Sequence, residues 1–97
     1  MDPANSHTVR HEADQKRFVI DMDGVQALLE YRMSSPTVMD FHHTYTPDPL
    51  RGKGLAAQLV ESGVAYARDQ GFRVAGSCSF VAGWLQREQT AQIPSVK

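Results

Sequence analysis

The sequence predicts an α/β domain of the α+β kind: a mostly antiparallel sheet with one parallel β-α-β pair and a short C-terminal helix. Three observations carry this. The N-terminal half holds strand-like runs separated by turn residues. One long stretch places apolar residues at helical spacing and is bracketed by glycines. A short apolar run then follows, and it closes a β-α-β unit with the strand before the helix.

Ninety-seven residues support one modest core and not two. The reading divides them into a disordered lead over 1–7, a domain over 8–88 and a tail over 89–97. With 41% hydrophobic and 22% charged residues and a formal net charge of −1, the chain has no electrostatic basis for broad nucleic-acid binding. No apolar run approaches the roughly 18 residues of a membrane span, and Met1 to His7 lack the basic-then-apolar pattern of a secretory signal. Nucleic acid and membrane are therefore not expected partners, and a monomer is the expected state. The single cysteine, Cys78, excludes an internal disulfide and a multi-cysteine metal cluster. A reducing compartment follows, the cytoplasm first and the nucleus second.

Val9 to Asp14 is polar and mixed, an edge strand at most. Arg17-Phe18-Val19-Ile20-Asp21 is a compact strand signal, and Asp23-Gly24 is a hairpin turn dipeptide. Val25 to Arg32 has residues suited to a helix, yet its place after that turn makes it the returning strand. Ser34-Ser35-Pro36 forms the next turn. Val38 to Tyr45 then alternates, with Met39, Phe41, His43 and Tyr45 on one face and Val38, Asp40, His42 and Thr44 on the other. Pro47-Asp48-Pro49 stops this strand, because proline has no N–H for a ladder.

The helix runs from about Gly54 to Gln70, with Ala56, Leu59, Val60, Gly63, Val64 and Ala67 as its apolar stripe. Gly71 ends it, as glycine tolerates the left-handed conformation there. Phe72 to Gly76 is the strand that must run parallel to Val38–Tyr45, with a right-handed crossover. Ser77 or Ser79 caps a short second helix over Phe80 to Arg87. From Glu88 on, the pattern carries little packing signal.

Between strand and helix lies Arg51-Gly52-Lys53-Gly54-Leu55-Ala56. Glycines let main-chain N–H groups converge, and the following helix adds its unpaired first-turn donors and the positive end of its dipole. This is an anion site, and phosphate or pyrophosphate is its natural occupant. Gly52, Gly54 and Ala57 also fit G-x-G-x-x-G/A, the dinucleotide-binding spacing. That fold needs an acid about 20 residues on, where Val74, Ala75, Gly76 and Ser77 stand without a carboxylate. A P-loop is weaker still, for no Gly-Lys-Ser/Thr follows a four-residue spacer.

Arg51, Gly54 and Ala56 satisfy a different pattern, Arg/Gln-x-x-Gly-x-Gly/Ala. With strand, proline turn, amphipathic helix and short strand in this order, the chain resembles the GCN5-related N-acetyltransferases. Met39-Asp40-Phe41-His42-His43-Thr44-Tyr45 and Ser77-Cys78-Ser79-Phe80-Val81 narrow the likeness to small single-domain "N-acetyltransferase domain-containing" proteins. It extends over about Phe18 to Glu88. Gly76 departs from it, standing where proline is expected, as does the region after Arg87, which lacks a final aromatic-containing segment.

The resemblance implies acetyl-CoA or coenzyme A as the bound cofactor and transfer of acetyl to an unidentified amine, with a protein or peptide amine as one candidate. It places the pyrophosphate on Arg51, Gly52, Lys53, Gly54, Leu55, Ala56 and Ala57. The pantetheine arm would lie between the parallel strands, beside Thr44 and Tyr45. The second reading is a module that binds CoA or acyl-CoA without catalysis.

For catalysis the candidates are Cys78 and His43. Cys78 follows the second parallel strand, where the thioester should lie. It would act as an acyl-accepting thiolate, or as a thiol protonating the departing sulfur; an inert, buried cysteine is the alternative. His43 is read as a base or a partner of Cys78, against a satisfied inner histidine. No metal site is expected, since adjacent His42 and His43 on a strand point to opposite faces and cannot share an ion. Phe80 and Trp84 are read as core.

Overall fold

The computed structural model describes residues 8–22, 24–47 and 54–92. Five strands form one sheet in the order β1-β2-β3-β4-β5: β1 (Arg10–Glu12), β2 (Arg17–Met22), β3 (Val25–Ser35), β4 (Val38–Tyr45) and β5 (Arg73–Gly76). The first three pairings are antiparallel and β4–β5 is parallel. Helix α1 (Leu55–Asp69) makes the crossover, and α2 (Ser79–Gln92) follows β5.

The meander forms where the sequence supplies alternation and turns. Phe18 and Ile20 of β2 pair with Leu29 and Ala27 of β3, and all four are buried in the core. The β2–β3 hairpin turns through Gly24 at φ 77°, a left-handed conformation that favours glycine. Strand β3 runs further than expected. It continues through Ser34 and Ser35, and the turn falls on Pro36 and Thr37 instead.

Helix α1 buries Leu55, Leu59, Val60, Gly63, Val64 and Ala67, one face of a 3.6-residue period, against the sheet. Its C-terminus is closed by Gly71 at φ 82°, whose N–H donates to Arg68 O at 3.0 Å while Phe72 N–H donates to Ala67 O at 2.9 Å. That two-bond pattern satisfies carbonyls a helix end would otherwise leave open.

Helix α2 is longer than the sequence pattern suggests and extends to Gln92. Part of the reason is Glu88, expected to lie in unpacked chain. It pairs in two-pronged fashion with Arg68 of α1 at 2.9 and 3.0 Å. Such a pair fixes how the two helices lie beside each other, though at the surface it adds only about 0–1 kcal/mol. Phe80 and Trp84 pack against the core and Val81 is fully buried within it, as the apolar pattern implied.

Two close approaches draw the layers together. A β-carbon on Gly63 would meet Phe41 Cε1 at 2.8 Å, so glycine lets α1 sit directly on β4. A β-carbon on Gly76 would meet Val81 Cγ1 at 2.8 Å and the Ala82 nitrogen at 3.2 Å, so glycine lets the start of α2 fold back over β5. That contact is a physical reason for glycine at this position, where the resemblance led us to expect proline.

Candidate active site

The site begins with an irregularity in β4. Leu29 pairs with Thr44 and Glu30 with His43, but Tyr31 pairs with Phe41. Strand β4 therefore carries one extra residue, His42, and this is a β-bulge. The alternation restarts beyond it. Met39 and Phe41 are buried as expected, but His43 and Tyr45 do not share their face: they lie across from Glu30 and Leu28, and Tyr45 is 48% exposed. Thr44, expected on the outer face, instead lies across from buried Leu29 and turns toward the helices. One inserted residue reverses every side chain after it.

Just past the bulge, β4 and β5 part. Their register runs from Val38–Arg73 to Phe41–Gly76 and stops there. A single main-chain bond follows, from Cys78 N–H to Phe41 O at 3.3 Å. Residues 42–45 then have no strand partner on the β5 side among the described residues. The two strands frame a split whose rim carries main-chain groups available to an amide-bearing arm.

Cys78 stands at the mouth of this split. Its Sγ lies 3.8 Å from Thr44 Oγ1. Cys78 immediately precedes α2, and its carbonyl accepts the helix's first bond, from Ala82 N–H at 2.9 Å, so cysteine occupies the place where Ser77 or Ser79 was expected to cap. Burial pushes the thiol up. Main-chain hydrogens of Val81 and Phe80, the Thr44 hydroxyl and the Thr44 main chain together outweigh that and hold it below its ordinary value. A helix start that offers N–H groups to sulfur favours the thiolate for the same reason it binds any anion.

Cys78 therefore meets Thr44 and not His43, which lies exposed on the other face of the sheet. The expected Cys78–His43 pair is absent because the bulge turns His43 away, and a satisfied inner histidine is excluded by its exposure. Among the described residues, no group of three His, Cys, Asp or Glu side chains gathers as a metal site.

The other end of the site is the start of α1. Gly54 precedes the helix at φ 75° and no side chain caps it. The first intrahelical bond is Gln58 N–H to Gly54 O at 3.1 Å. It leaves the N–H groups of Leu55, Ala56 and Ala57 without an intrahelical acceptor. The first turn holds no acidic residue to neutralise them. Leu55 contributes only its main chain, since its side chain is 1% exposed and belongs to the core. Arg51, Gly52 and Lys53 lie outside the described residues.

Asp40 is the site residue that alternation alone does not reveal. It is 5% exposed, yet its carboxylate is fully engaged. It accepts Ser77 N–H at 3.0 Å, the Ser77 hydroxyl at 2.7 and 2.6 Å to its two oxygens, and Arg32 Nε at 3.1 Å. Burial pushes its pKa up, but the bonds from Ser77 and Arg32 prevail and hold it below the usual carboxylate range. A carboxylate on a strand between Met39 and Phe41 is the sequence signal that could have drawn notice.

Comparison with known proteins bears on the family and the fold. The family profile described as GCN5-related N-acetyl-transferase matches residues 17–93. Protein NATD1 of Xenopus tropicalis is 24% identical over 94 residues, covering 95% of this chain and 86% of that protein. Protein NATD1 of Bos taurus is 23% identical over 86 residues, covering 87% and 76%. The solution structure of a GCN5-like protein from Staphylococcus aureus superposes with a TM-score of 0.68 at 26% identity, covering 88% of this chain and 83% of its own.

Proposed function

Because the chain belongs to the GCN5-related N-acetyltransferase family, we propose that it binds acetyl-CoA and transfers the acetyl group to an amine, on a small molecule, a protein or a peptide. The observation that carries this reading is the split beyond Phe41 and Gly76, with Cys78 and Thr44 at its mouth and the open start of α1 at the end of the same β-α-β unit.

The residues fit such a cofactor. The N–H groups of Leu55, Ala56 and Ala57, which have no acceptor within the helix, suit a pyrophosphate, and Arg51, Gly52, Lys53 and Gly54 would supply the rest of that loop. Thr44 and the main chain of Tyr45 line the β4 rim, while the Tyr45 side chain faces the outer surface. Acetyl-CoA supplies a thioester, whose carbonyl carbon is open to attack and whose sulfur leaves readily.

Cys78 takes the acyl-accepting role in this reading, because its sulfur is held as an acceptor of main-chain hydrogens. With acetyl-CoA bound, the Cys78 thiolate would be placed to attack the thioester carbonyl carbon, the new C–S bond at Cys78 forming as the bond to the CoA sulfur breaks and the CoA thiolate leaves to take a proton from solvent. The acceptor amine then attacks the acyl carbon on Cys78, the C–N bond forms, and the thiolate is restored. The amine's proton passes to solvent, since His43 lies on the far face of the sheet from Cys78.

The test is calorimetry with acetyl-CoA and with CoA, followed by mass spectrometry of the chain and thiol release with a panel of amines. We expect heat from both ligands, an acetyl adduct confined to Cys78 and absent from Cys78→Ala, and amine-dependent release. Binding without adduct or release means a CoA-binding module instead of an enzyme. No heat with either ligand overturns the assignment.

A further inference from the structure

The parallel pair ends where it does because of a side chain. In a continuing ladder, the main chain of β5 past Gly76 would go on bonding to the main chain of β4. Here the Ser77 N–H goes to Asp40 Oδ1 at 3.0 Å, and the Ser77 hydroxyl reaches both carboxylate oxygens. The next residue, Cys78, gives its N–H to Phe41 O of β4 and leads into α2. From the other side, Arg32 of β3 bonds Oδ2 of the same carboxylate through Nε and a terminal nitrogen, both at 3.1 Å. Asp40 is thus fixed by the neighbouring strand and in turn fixes the residue before the cysteine.

We propose that Asp40 is a positioning residue of this site: its carboxylate ends the β4–β5 ladder and holds the Ser77–Cys78 turn so that Cys78 Sγ meets Thr44 at the mouth of the split. The functional meaning of this role rests on the reading above, but the geometry does not. Asp40 does not touch the sulfur; it acts through Ser77. A buried carboxylate bonded at both oxygens holds more firmly than a neutral side chain, because charge-assisted bonds are shorter and stronger. Asparagine in its place would keep one carbonyl for the Ser77 N–H. Its amide nitrogen would then face the donor-only nitrogens of Arg32, so that part of the clamp must break.

Cys78 is the single cysteine of the chain, so iodoacetamide reports on it alone and needs no cofactor. The experiment compares alkylation rate against pH for the wild type, Asp40→Asn, Ser77→Ala and Ile20→Val. The last trims a fully buried residue of β2 and serves as a stability-lowered control outside the clamp. Loosening the turn draws sulfur away from the hydrogens of α2 and of Thr44. The midpoint of the profile should then move up, since thiolate fraction falls tenfold per unit while intrinsic nucleophilicity recovers only part of it. For Asp40→Asn we expect the rate at pH 7 to fall about three- to tenfold, with Ser77→Ala moving the same way by less and Ile20→Val keeping the wild-type midpoint. Should Asp40→Asn not fold, Ser77→Ala decides alone. A wild-type midpoint in every folded clamp variant, or an equal displacement in Ile20→Val, overturns the proposal. If the wild type shows this thiol behaviour but gives no heat with CoA, the cofactor reading fails while the positioning role stands.

Discussion

Gly63→Ala tests the packing of α1 on the sheet, and the sign of its effect is the test. In an exposed helix interior, alanine for glycine adds about 1 kcal/mol of stability, from the smaller loss of backbone freedom. Here the new methyl would lie 2.8 Å from Phe41 Cε1, 3.1 Å from Phe41 Cζ and 3.0 Å from Leu29 Cδ2. Carbon atoms prefer about 3.5–4.0 Å, so helix and ring must separate by several tenths of an ångström. Phe41 and Leu29 are both fully buried, so either must displace core neighbours to give way. Overpacking of this kind costs about 1–3 kcal/mol, which outweighs the propensity gain and leaves a net loss of about 1 kcal/mol. For a domain of this size that lowers the melting temperature by about 4–8 °C, readable by circular dichroism at fixed pH. A variant that melts several degrees above the wild type would refute the reasoning, for it would mean that α1 stands off the sheet at this point.

Other outcomes can be checked alongside. Thr44→Val removes the hydroxyl beside Cys78 but leaves the main-chain donors; across a contact as long as 3.8 Å it should slow iodoacetamide labelling at pH 7 by only about two- to threefold. Burial holds His11, 2.7 Å from the Tyr31 hydroxyl and stacked on Phe18, below its ordinary value. Folding therefore favours its neutral form, and that contribution is complete above an unfolded pKa of about 6.5 and is lost as pH falls through the folded value. Glu12, Asp21 and Glu88 are lowered chiefly by bonds from Arg17, Arg10 and Arg68, respectively. Their contribution is complete above the usual carboxylate range and is lost below it. Melting temperature should then decline in two stages on acidification, and His11→Phe should remove the first without touching the second. Arg68→Ala breaks an exposed pair and should cost about 0–1 kcal/mol by urea titration, with less effect in 1 M salt.

Short-range features of the chain were legible from sequence because their causes are local. The alternation of Phe18 to Asp21, the turn at Gly24, the apolar stripe of α1 and its glycine stop at Gly71 each depend on a few neighbouring residues. So does the open helix start at Gly54. The strand limits Val38 and Tyr45 were also legible, since prolines bracket the segment. The bulge was not: Phe41-His42-His43-Thr44 holds no glycine and no turn residue, and the inserted residue is defined only by the partner strand. Without it, Thr44 would point away from Cys78 and His43 toward it.

By itself, then, the sequence determined the order of elements and the parallel pair around α1. These follow from backbone propensity and hydrophobic period, which act over one or two turns of chain. Tertiary structure alone decided which side chains surround the sulfur, because strand register, the approach of α2 over Gly76 and the grip of Asp40 on Ser77 join residues up to 37 positions apart. Contacts at that separation are selected by the energy of the whole packed sheet, and no local pattern encodes them.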